Sequence, residues 1–336
     1  MNGQQISVAV LGAGSWGTAL AMQLARLEHD VRLWSRDSSQ AEAMQRDRVN
    51  QRYLPDAPLT DNITVTSDID EALLGHHALL IVTPSHAFAE TVELVADHVG
   101  EQVGLAWATK GFEPGTGRLL HELATERLGH AVPLALVTGP SFAREVAAGL
   151  PTAVTVAATR PEFGRRWASL LHGASFRAYY TADIIGAELG GGVKNVLAVA
   201  CGLADGMGLG HNTRAALITR GLAELMRLGR ALKADSQTLM GLAGVGDLVL
   251  TCTGELSRNY RLGRALGRGI GMDQAREEIG QVVEGIRTSE ELMRLAERAG
   301  VEMPISEQVH GILFKGWNAE KGVRVLMERE QKRETE

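Results

Sequence analysis

A single lysine interrupts the most apolar helical stretch of the chain, residues 184–203. Lys194 stands there among apolar and small residues, two positions after three consecutive glycines, residues 190–192. Burying an unpaired ammonium costs several kcal/mol, so this side chain needs either a partner or a chemical role. In such a place a lysine acts as a general acid or base, or polarises a carbonyl. Because glycine is a poor helix former, the glycine run indicates that something approaches this helix closely. The alternative is a lysine at the rim of the helix that keeps its ammonium in water.

Polar side chains of complementary chemistry follow further along the chain. Asp247 lies in a glycine-rich apolar stretch, where a lone carboxylate is costly unless a cation such as Lys194 pairs with it. Ser257, Arg258 and Asn259 then supply a hydroxyl, a guanidinium and an amide in succession, which suits the oxygens of a phosphate. Sequence spacing leaves open whether these residues converge.

A glycine-rich turn stands near the start of the chain. Residues 12–17 read Gly-Ala-Gly-Ser-Trp-Gly and match G-x-G-x-x-G between a predicted strand and a predicted helix. In that context Gly12 permits a tight turn, Gly14 lets the backbone approach a pyrophosphate, and Gly17 allows close packing of helix on strand. The helix N-terminus offers free N–H groups to the phosphates. We therefore predict a dinucleotide cofactor; a ligand-free structural turn is the alternative.

Two cations follow predicted strands of the same region. The acidic residue that binds the ribose 2′-hydroxyl of NAD is absent from the end of the second predicted strand, where Ser35 and Arg36 stand instead. An arginine there pairs with a 2′-phosphate, so we expect NADP, or both NADP and NAD, rather than an idle surface arginine. Lys110 follows another predicted strand, and we expect it to hold an anionic substrate or a cofactor phosphate.

The elements that must position these residues divide the chain into two halves. Short β-branched runs alternate with helical patterns in the first half, which is typical of parallel βαβ units. The predicted strands are 7–11, 31–34, 63–66, 78–83, 104–109, 134–138 and 153–157, with a helix over 15–27. Further helices are predicted over 184–203, 213–231, 236–240, 260–266, 272–278, 288–299 and 306–314. This pattern predicts an α/β Rossmann-type domain with a parallel-rich sheet, residues 1–184, followed by an all-α C-terminal domain, residues 185–336.

Composition excludes several other classes. The chain has 34 Lys+Arg against 40 Asp+Glu and only 4% aromatic residues, which disfavours nucleic acid as a partner. Cys201 and Cys252 are too few for a disulfide framework, and the histidines lack metal-ligand spacing, so we expect core thiols and no metal. No leader pattern and no uninterrupted apolar run of membrane-spanning length is evident, which predicts a cytoplasmic protein without membrane insertion. The sequence leaves open whether the apolar helices of the C-terminal domain form a homodimer interface.

Several motifs together resemble bacterial NAD(P)-dependent glycerol-3-phosphate dehydrogenase. The resemblance runs from about residue 6 to residue 317. It is carried by residues 12–17, 107–113, 139–143, 189–195, 212–217, 244–248, 257–259 and 281–285.

The resemblance implies reversible hydride transfer between NAD(P)H and the carbonyl of dihydroxyacetone phosphate, which gives sn-glycerol 3-phosphate for phospholipid synthesis. It implies that Lys194 is the proton donor or acceptor and that Asp247 orients it. The cofactor contacts it implies are Ser15, Trp16, Arg36, Lys110, Ala143, Arg258, Val282 and Glu284. The substrate contacts it implies are Lys110, Gly139, Ser141, Lys194, Asp247, Ser257, Arg258 and Asn259.

Two alternatives remain beside this expectation. A 3-hydroxyacid dehydrogenase or a ketopantoate reductase has a similar two-domain plan but needs no phosphate-binding residues. A non-catalytic dinucleotide sensor would keep Gly12, Gly14 and Gly17, yet it has no need for Lys194 beside Asp247.

Overall fold

The computed structural model describes residues 5–330, and an eight-stranded sheet forms the centre of its first half. The strands of the sheet are β1 (Ser7–Leu11), β2 (Asp30–Trp34), β5 (Ile63–Thr66), β6 (Ala78–Ile81), β7 (Leu105–Trp107), β8 (Leu134–Thr138), β9 (Thr152–Ala158) and β10 (Phe176–Thr181). A separate antiparallel hairpin is formed by β3 (Val49–Asn50) and β4 (Leu54–Pro58).

The strand order is β10-β9-β8-β7-β6-β1-β2-β5, and all neighbours run parallel except β8 and β9. Since β1 lies between β2 and β6, the chain first builds the sheet in one direction from β1 and then in the other. Such a switch point is where an open α/β sheet binds its ligands, beyond the carboxyl ends of the strands.

Helices cover both faces of the sheet. In the first half they are α1 (Ser15–Arg26), α2 (Ser38–Asp47), α3 (Ile69–Leu73), α4 (Ser85–Leu94), α5 (Leu120–Leu128), α6 (Ala143–Ala147) and α7 (Pro161–Leu171). Alternating strand residues pack to opposite sides: Val8 and Val10 of β1 join the core beneath α1 and α7, whereas Ala9 and Leu11 join the core beneath α4 and α5. Both faces of the sheet are therefore buried, as a parallel sheet requires.

The second half is helical throughout the described residues. Its helices are α8 (Ile184–Gly206), α9 (Gly210–Ala231), α10 (Ser236–Met240), α11 (Asp247–Thr253), α12 (Arg258–Gly267), α13 (Met272–Ile279), α14 (Glu284–Ala299), α15 (Pro304–Phe314) and α16 (Ala319–Met327). A Rossmann-type, parallel-rich sheet is thus followed by a helical C-terminal half, which confirms the predicted fold class.

The long helix α8 is the centre of the helical half. Within the part of the chain that the structure describes, it alone is apolar and long enough to cross a membrane by length and composition, although we expected Lys194 to break the stretch. Its most apolar window is 94% buried inside the protein, the placement of a core helix.

Cys201 and Cys252 are both fully buried in the core around α8. Glycines let α12 press against α8: a Cβ at Gly202 would overlap the carbonyl oxygen of Tyr260.

Several element boundaries differ from the sequence predictions. Strand β6 ends at Ile81 and β7 at Trp107, two residues before the predicted ends at 83 and 109, because the pairing with neighbouring strands stops there. Strand β10 was not predicted, since it lies at the sheet edge with only Phe176 fully buried and has no apolar run. Helices α11 and α16 were also missed. Helix α11 has three β-branched residues among seven and follows a glycine-rich segment, a composition that does not favour a helix.

Candidate active site

The glycine turn lies directly after β1, at the switch point of the sheet. Gly12 has a φ of +122°, and a Cβ there would lie 2.8 Å from the carbonyl oxygen of Val82. A Cβ at Gly17 would overlap the carbonyl oxygen of Gly12, so α1 packs directly onto the turn. At Gly14 a Cβ would meet no atom within 4 Å, and α1 begins here without a side-chain cap. Free N–H groups behind an open approach fit the pyrophosphate of a dinucleotide.

Two amide side chains hold this turn from outside. The carbonyl oxygen of Ala13 accepts hydrogen bonds from Gln40 Nε2 at 2.8 Å and from Asn50 Nδ2 at 3.0 Å. Asn50 is fully buried, and its Nδ2 also donates to Thr18 Oγ1 at 2.8 Å. Sequence reasoning missed both amides, because no local pattern marks a residue that binds a carbonyl 27 or 37 positions away.

A buried carboxylate joins the two lysines singled out in the sequence. Lys194 Nζ donates to Asp247 Oδ1 at 2.6 Å, and Lys110 Nζ donates to Asp247 Oδ2 at 2.7 Å. Lys110 also donates to the carbonyl oxygen of Gly139 at 3.3 Å, which ties the ends of β7 and β8 together. Asp247 and Lys194 are 1% and 7% exposed, so the pair lies away from bulk water.

The charges of this cluster shift one another's protonation. Burial lowers the pKa of Lys194 to about 8; the Asp247 carboxylate opposes this change and the nearby Lys110 ammonium adds to it. Burial acts to raise the pKa of Asp247, but the two ammonium groups outweigh it, so this pKa lies below its usual range. Lys194 is therefore poised to exchange a proton near neutral pH, while Asp247 stays ionised.

Thr251 completes the surroundings of the buried ammonium. Its Oγ1 accepts a hydrogen bond from Lys194 Nζ at 3.0 Å and donates to the backbone oxygen of Asp247 at 2.6 Å. The four-residue spacing from Asp247 is a helical signal, and it was missed because α11 itself was not predicted. Lysine has three donor protons, so two known acceptors leave one for another ligand.

The glycine run before Lys194 admits other parts of the protein. A π-helical turn, Leu242–Gly246, leads into Asp247, and a Cβ at Gly190 would overlap the carbonyl oxygen of Ala243 in this turn. A Cβ at Gly192 would lie 2.7 Å from the ring of Phe112. The close approach that the run predicted is thus made by protein atoms at these two positions, not by a ligand.

The Ser-Arg-Asn run starts α12 and faces α14. Ser257 caps the helix by accepting from the backbone N–H of Tyr260 at 3.2 Å. Asn259 donates to Asn195 Oδ1 at 2.9 Å and accepts from the N–H of Gly285 at 2.9 Å. Arg258 between them is exposed. Two of the three side chains thus also have structural contacts, and the Asn259–Asn195 bond ties this run to α8 beside Lys194.

The other predicted site residues lie on loops and helix ends around this edge of the sheet. Ser141 Oγ donates to the carbonyl oxygen of Gly139 at 3.0 Å. Glu284 accepts from Ser85 Oγ at 2.8 Å, and burial raises its pKa. Arg36 is exposed, and its ion pair is with Glu90 rather than with the lysine cluster. The remaining members are Ser15, which donates to the backbone oxygen of Tyr53; Trp16, half-buried; Ala143, the first residue of α6; and Val282, 45% exposed.

A dinucleotide-type turn and a lysine on a buried carboxylate, at one edge of a parallel sheet, define the class of dinucleotide-dependent dehydrogenases. The family described as "NAD-dependent glycerol-3-phosphate dehydrogenase" matches with its N-terminal part over residues 7–164 and with its C-terminal part over residues 183–324. The chain belongs to this glycerol-3-phosphate dehydrogenase family.

Relatives and solved structures agree with this membership. The "Glycerol-3-phosphate dehydrogenase [NAD(P)+]" of Stenotrophomonas maltophilia (strain R551-3) is 58% identical over 327 residues, which is 97% of this chain and 96% of that protein. The protein of the same name from Xanthomonas campestris pv. campestris (strain B100) is 55% identical over the same coverage. The crystal structure of glycerol-3-phosphate dehydrogenase from Coxiella burnetii has a TM-score of 0.93 and 46% identity, and the match covers 97% of this chain and 99% of that one.

Proposed function

We propose that the chain transfers hydride reversibly between NAD(P)H and the carbonyl of dihydroxyacetone phosphate, which gives sn-glycerol 3-phosphate for phospholipid synthesis. The cofactor is NAD or NADP, as in the named relatives, and when bound it supplies or accepts the hydride. The observation that carries the proposal is the buried Lys194–Asp247 contact beside Lys110, across the sheet edge from the glycine turn.

Lys194 has the role of proton donor in the reducing direction. When a ketone accepts hydride, negative charge develops on its oxygen, and an ammonium placed there stabilises that charge and supplies the proton. Asp247 orients the ammonium and favours its charged form, while Thr251 receives a second N–H. In the oxidising direction the neutral amine takes the proton from the hydroxyl.

The phosphate of the substrate needs donors outside the lysine pair. We assign it to the Ser257–Arg258–Asn259 run, in which the exposed Arg258 has a guanidinium suited to phosphate oxygens. Lys110, Gly139 and Ser141 are assigned to the substrate as well. The cofactor is assigned to Gly12, Gly14, Ser15, Trp16, Gly17, Arg36, Lys110, Ala143, Arg258, Val282 and Glu284.

The direct test is oxidation of NADPH or NADH, followed by absorbance, on addition of dihydroxyacetone phosphate to the purified chain. We expect turnover with this ketone and competition by glycerol 3-phosphate but not by hydroxyacids. Turnover of ketopantoate, or of the 3-oxoacid that corresponds to a 3-hydroxyacid, in its place would favour the reductase alternatives. Cofactor binding with no turnover of any of these compounds would favour the sensor.

Three organisational features belong to the same proposal. A domain boundary at residue 184 coincides with the start of α8, and limited proteolysis tests it. A homodimer would cover the exposed apolar residues around α15 and α16, namely Phe314, Trp317, Val325 and Met327; light scattering measures its mass. A cytoplasmic location agrees with two free, buried cysteines, and cell fractionation tests it.

A further inference from the structure

Arg36 and Glu90 face each other across the sheet edge that follows β2 and β6. Arg36 Nη1 lies 3.8 Å from Glu90 Oε2, and the two side chains are 75% and 67% exposed. Arg36 stands two residues after β2, whereas Glu90 lies on α4, the helix that follows β6. An exposed ion pair at this distance contributes little stability, so both groups remain available to a ligand.

We propose that Glu90 selects the cofactor together with Arg36: its carboxylate accepts the 2′-hydroxyl of NAD(H), and the guanidinium pairs with the 2′-phosphate of NADP(H). This inference rests on the proposed function, in which Arg36 lies at the adenosine ribose. It identifies Glu90 as a specificity-determining residue of the same cofactor site.

The carboxylate that usually binds the ribose is missing from the end of β2. Dinucleotide-binding folds hold the ribose 2′-hydroxyl with an acidic residue at the end of the second strand, where this chain has Ser35 and Arg36. The next residue, Asp37, holds the start of α2, because its Oδ1 accepts the backbone N–H of Gln40 at 3.1 Å as the cap of that helix. Glu90 brings a carboxylate from the neighbouring helix to the same guanidinium.

The two cofactors then meet opposite sides of one ion pair. With NAD(H), the pair stays intact and Glu90 has a free oxygen for the hydroxyl proton. With NADP(H), the 2′-phosphate competes with Glu90 for Arg36, and the like charges of phosphate and carboxylate repel. Glu90 therefore favours NAD(H) and Arg36 favours NADP(H), so the balance between these two side chains sets the cofactor preference.

Positive charges surround Glu90, which makes its carboxylate more important for the choice of cofactor. The Ser85–Glu284 bond of 2.8 Å holds the start of α4 against the start of α14, and Arg287 lies one helical turn beyond Glu284. Burial and the charges of Arg287 and Arg36 lower the pKa of His86, so both arginines act on this end of α4. Glu90 thus offsets a positive region that would otherwise favour the phosphorylated cofactor.

The experiment compares Glu90→Gln with the parent enzyme, with kcat/KM measured for NADPH and for NADH at saturating dihydroxyacetone phosphate. We expect the NADPH to NADH ratio to rise about tenfold, because a charge-assisted contact to NADH is lost and a repulsion with NADPH is removed. Arg36→Ala is expected to move the ratio in the opposite direction. The matched control is Glu93→Gln on the same helix, whose carboxylate pairs with Arg127 at 3.2 Å instead; its ratio stays at the parent value.

A second measurement tests ligand binding at this cofactor site without requiring turnover. Calorimetric titration with adenosine 2′,5′-bisphosphate and with adenosine 5′-phosphate reports the affinity for the 2′-phosphate directly. An unchanged ratio and unchanged relative affinities in Glu90→Gln would overturn the inference while leaving the proposed function intact. Absence of dihydroxyacetone phosphate turnover in the parent would overturn the proposed function instead, and the titrations would still decide the part played by Glu90.

Discussion

The Nζ atom of Lys194 lies 2.6 Å from Oδ1 of Asp247, a contact that joins the middle of α8 to the first residue of α11. The second oxygen of the same carboxylate receives Lys110 from the sheet edge at 2.7 Å. One buried carboxylate therefore connects Lys194 in the helical half to Lys110 in the half that holds the glycine turn. Any change that moves Asp247 disturbs both.

Replacing Lys194 with methionine should remove the proposed proton donor while keeping most of the side-chain volume. We expect kcat to fall by a factor on the order of 10²–10⁴, the usual contribution of a general acid, while NADPH still binds. Steady-state kinetics measure the first effect and fluorescence titration of NADPH the second. Lys321→Met, an exposed lysine on α16, is the control and should keep parental kinetics. Near-normal turnover in the Lys194 variant would contradict the assignment.

The pH dependence of the two directions should be opposite. Burial lowers the pKa of Lys194 to about 8, so the ammonium form that donates a proton predominates below this pH and the neutral amine above it. Ketone reduction should therefore decline as pH rises through about 8, and glycerol 3-phosphate oxidation should increase over the same range. Profiles of kcat from pH 6 to 10 in both directions measure this. A break at the same pH that survives in Lys194→Met would assign it to another group.

Asp247→Asn should shift that break and weaken the fold. The carboxylate raises the pKa of Lys194, so its loss should move the break of ketone reduction to lower pH. Removal of one partner from a buried ion pair costs about 3–5 kcal/mol of unfolding free energy, since it leaves uncompensated charge. Chemical denaturation measures the cost, and the pH profile measures the shift. Parental stability together with a parental profile would show that the contact is inconsequential.

Gly14→Val should separate cofactor binding from folding. A Cβ at Gly14 meets no protein atom within 4 Å, and its φ of −79° and ψ of −176° are open to any residue. We expect the melting temperature to stay within the range of a surface substitution, while the Kd for NADPH rises at least about tenfold through loss of the close approach. Thermal melts without cofactor and a NADPH titration give the two values. A parental Kd would exclude the pyrophosphate from this turn.

Gly202→Ala should destabilise the packing of α8 on α12. The new methyl group would overlap the carbonyl oxygen of Tyr260, a backbone atom that a rotamer change does not move. We expect a loss of about 1–3 kcal/mol in unfolding free energy. Gly100→Ala is the matched control, because a Cβ there meets nothing within 4 Å. Equal stability of the two variants in urea would refute the close crossing.

Most of the fold could be predicted from the sequence in the regions where the local residue pattern and burial agree. Strands β1, β5 and β8 were predicted with their observed bounds, since each is a short apolar or β-branched run ended by turn residues. Strand β10 was not predicted, because Tyr179 and Tyr180 are exposed at the sheet edge, where burial imposes no apolar pattern. The hairpin of β3 and β4 was not predicted, because β3 has only two residues and β4 contains two prolines.

At the site, the cost of burying charge was the informative signal. This cost indicated that Lys194 needs a partner and that Asp247 is a candidate. In the structure, Lys194 Nζ lies 2.6 Å from Asp247 Oδ1. That Lys110 shares the carboxylate depends on how the edge of the sheet meets α8, which no local pattern encodes. Thr251 becomes recognisable only once a helix is known to start at Asp247. The roles assigned to Ser257, Arg258 and Asn259 stay predictions.

The π-helical turn before Asp247 makes the number of residues at this place part of the chemistry. In this turn the N–H of Gly246 donates to the carbonyl oxygen of Gly241, five positions back, at 3.0 Å. The turn therefore holds one residue more than an α-helical turn. Because the turn already absorbs this extra residue, inserting one more would rotate everything downstream by about 100° around the helix axis. The carboxylate of Asp247 would then leave both lysines. Along this segment an inserted residue should therefore disturb the site more than a substitution that fits the space around it.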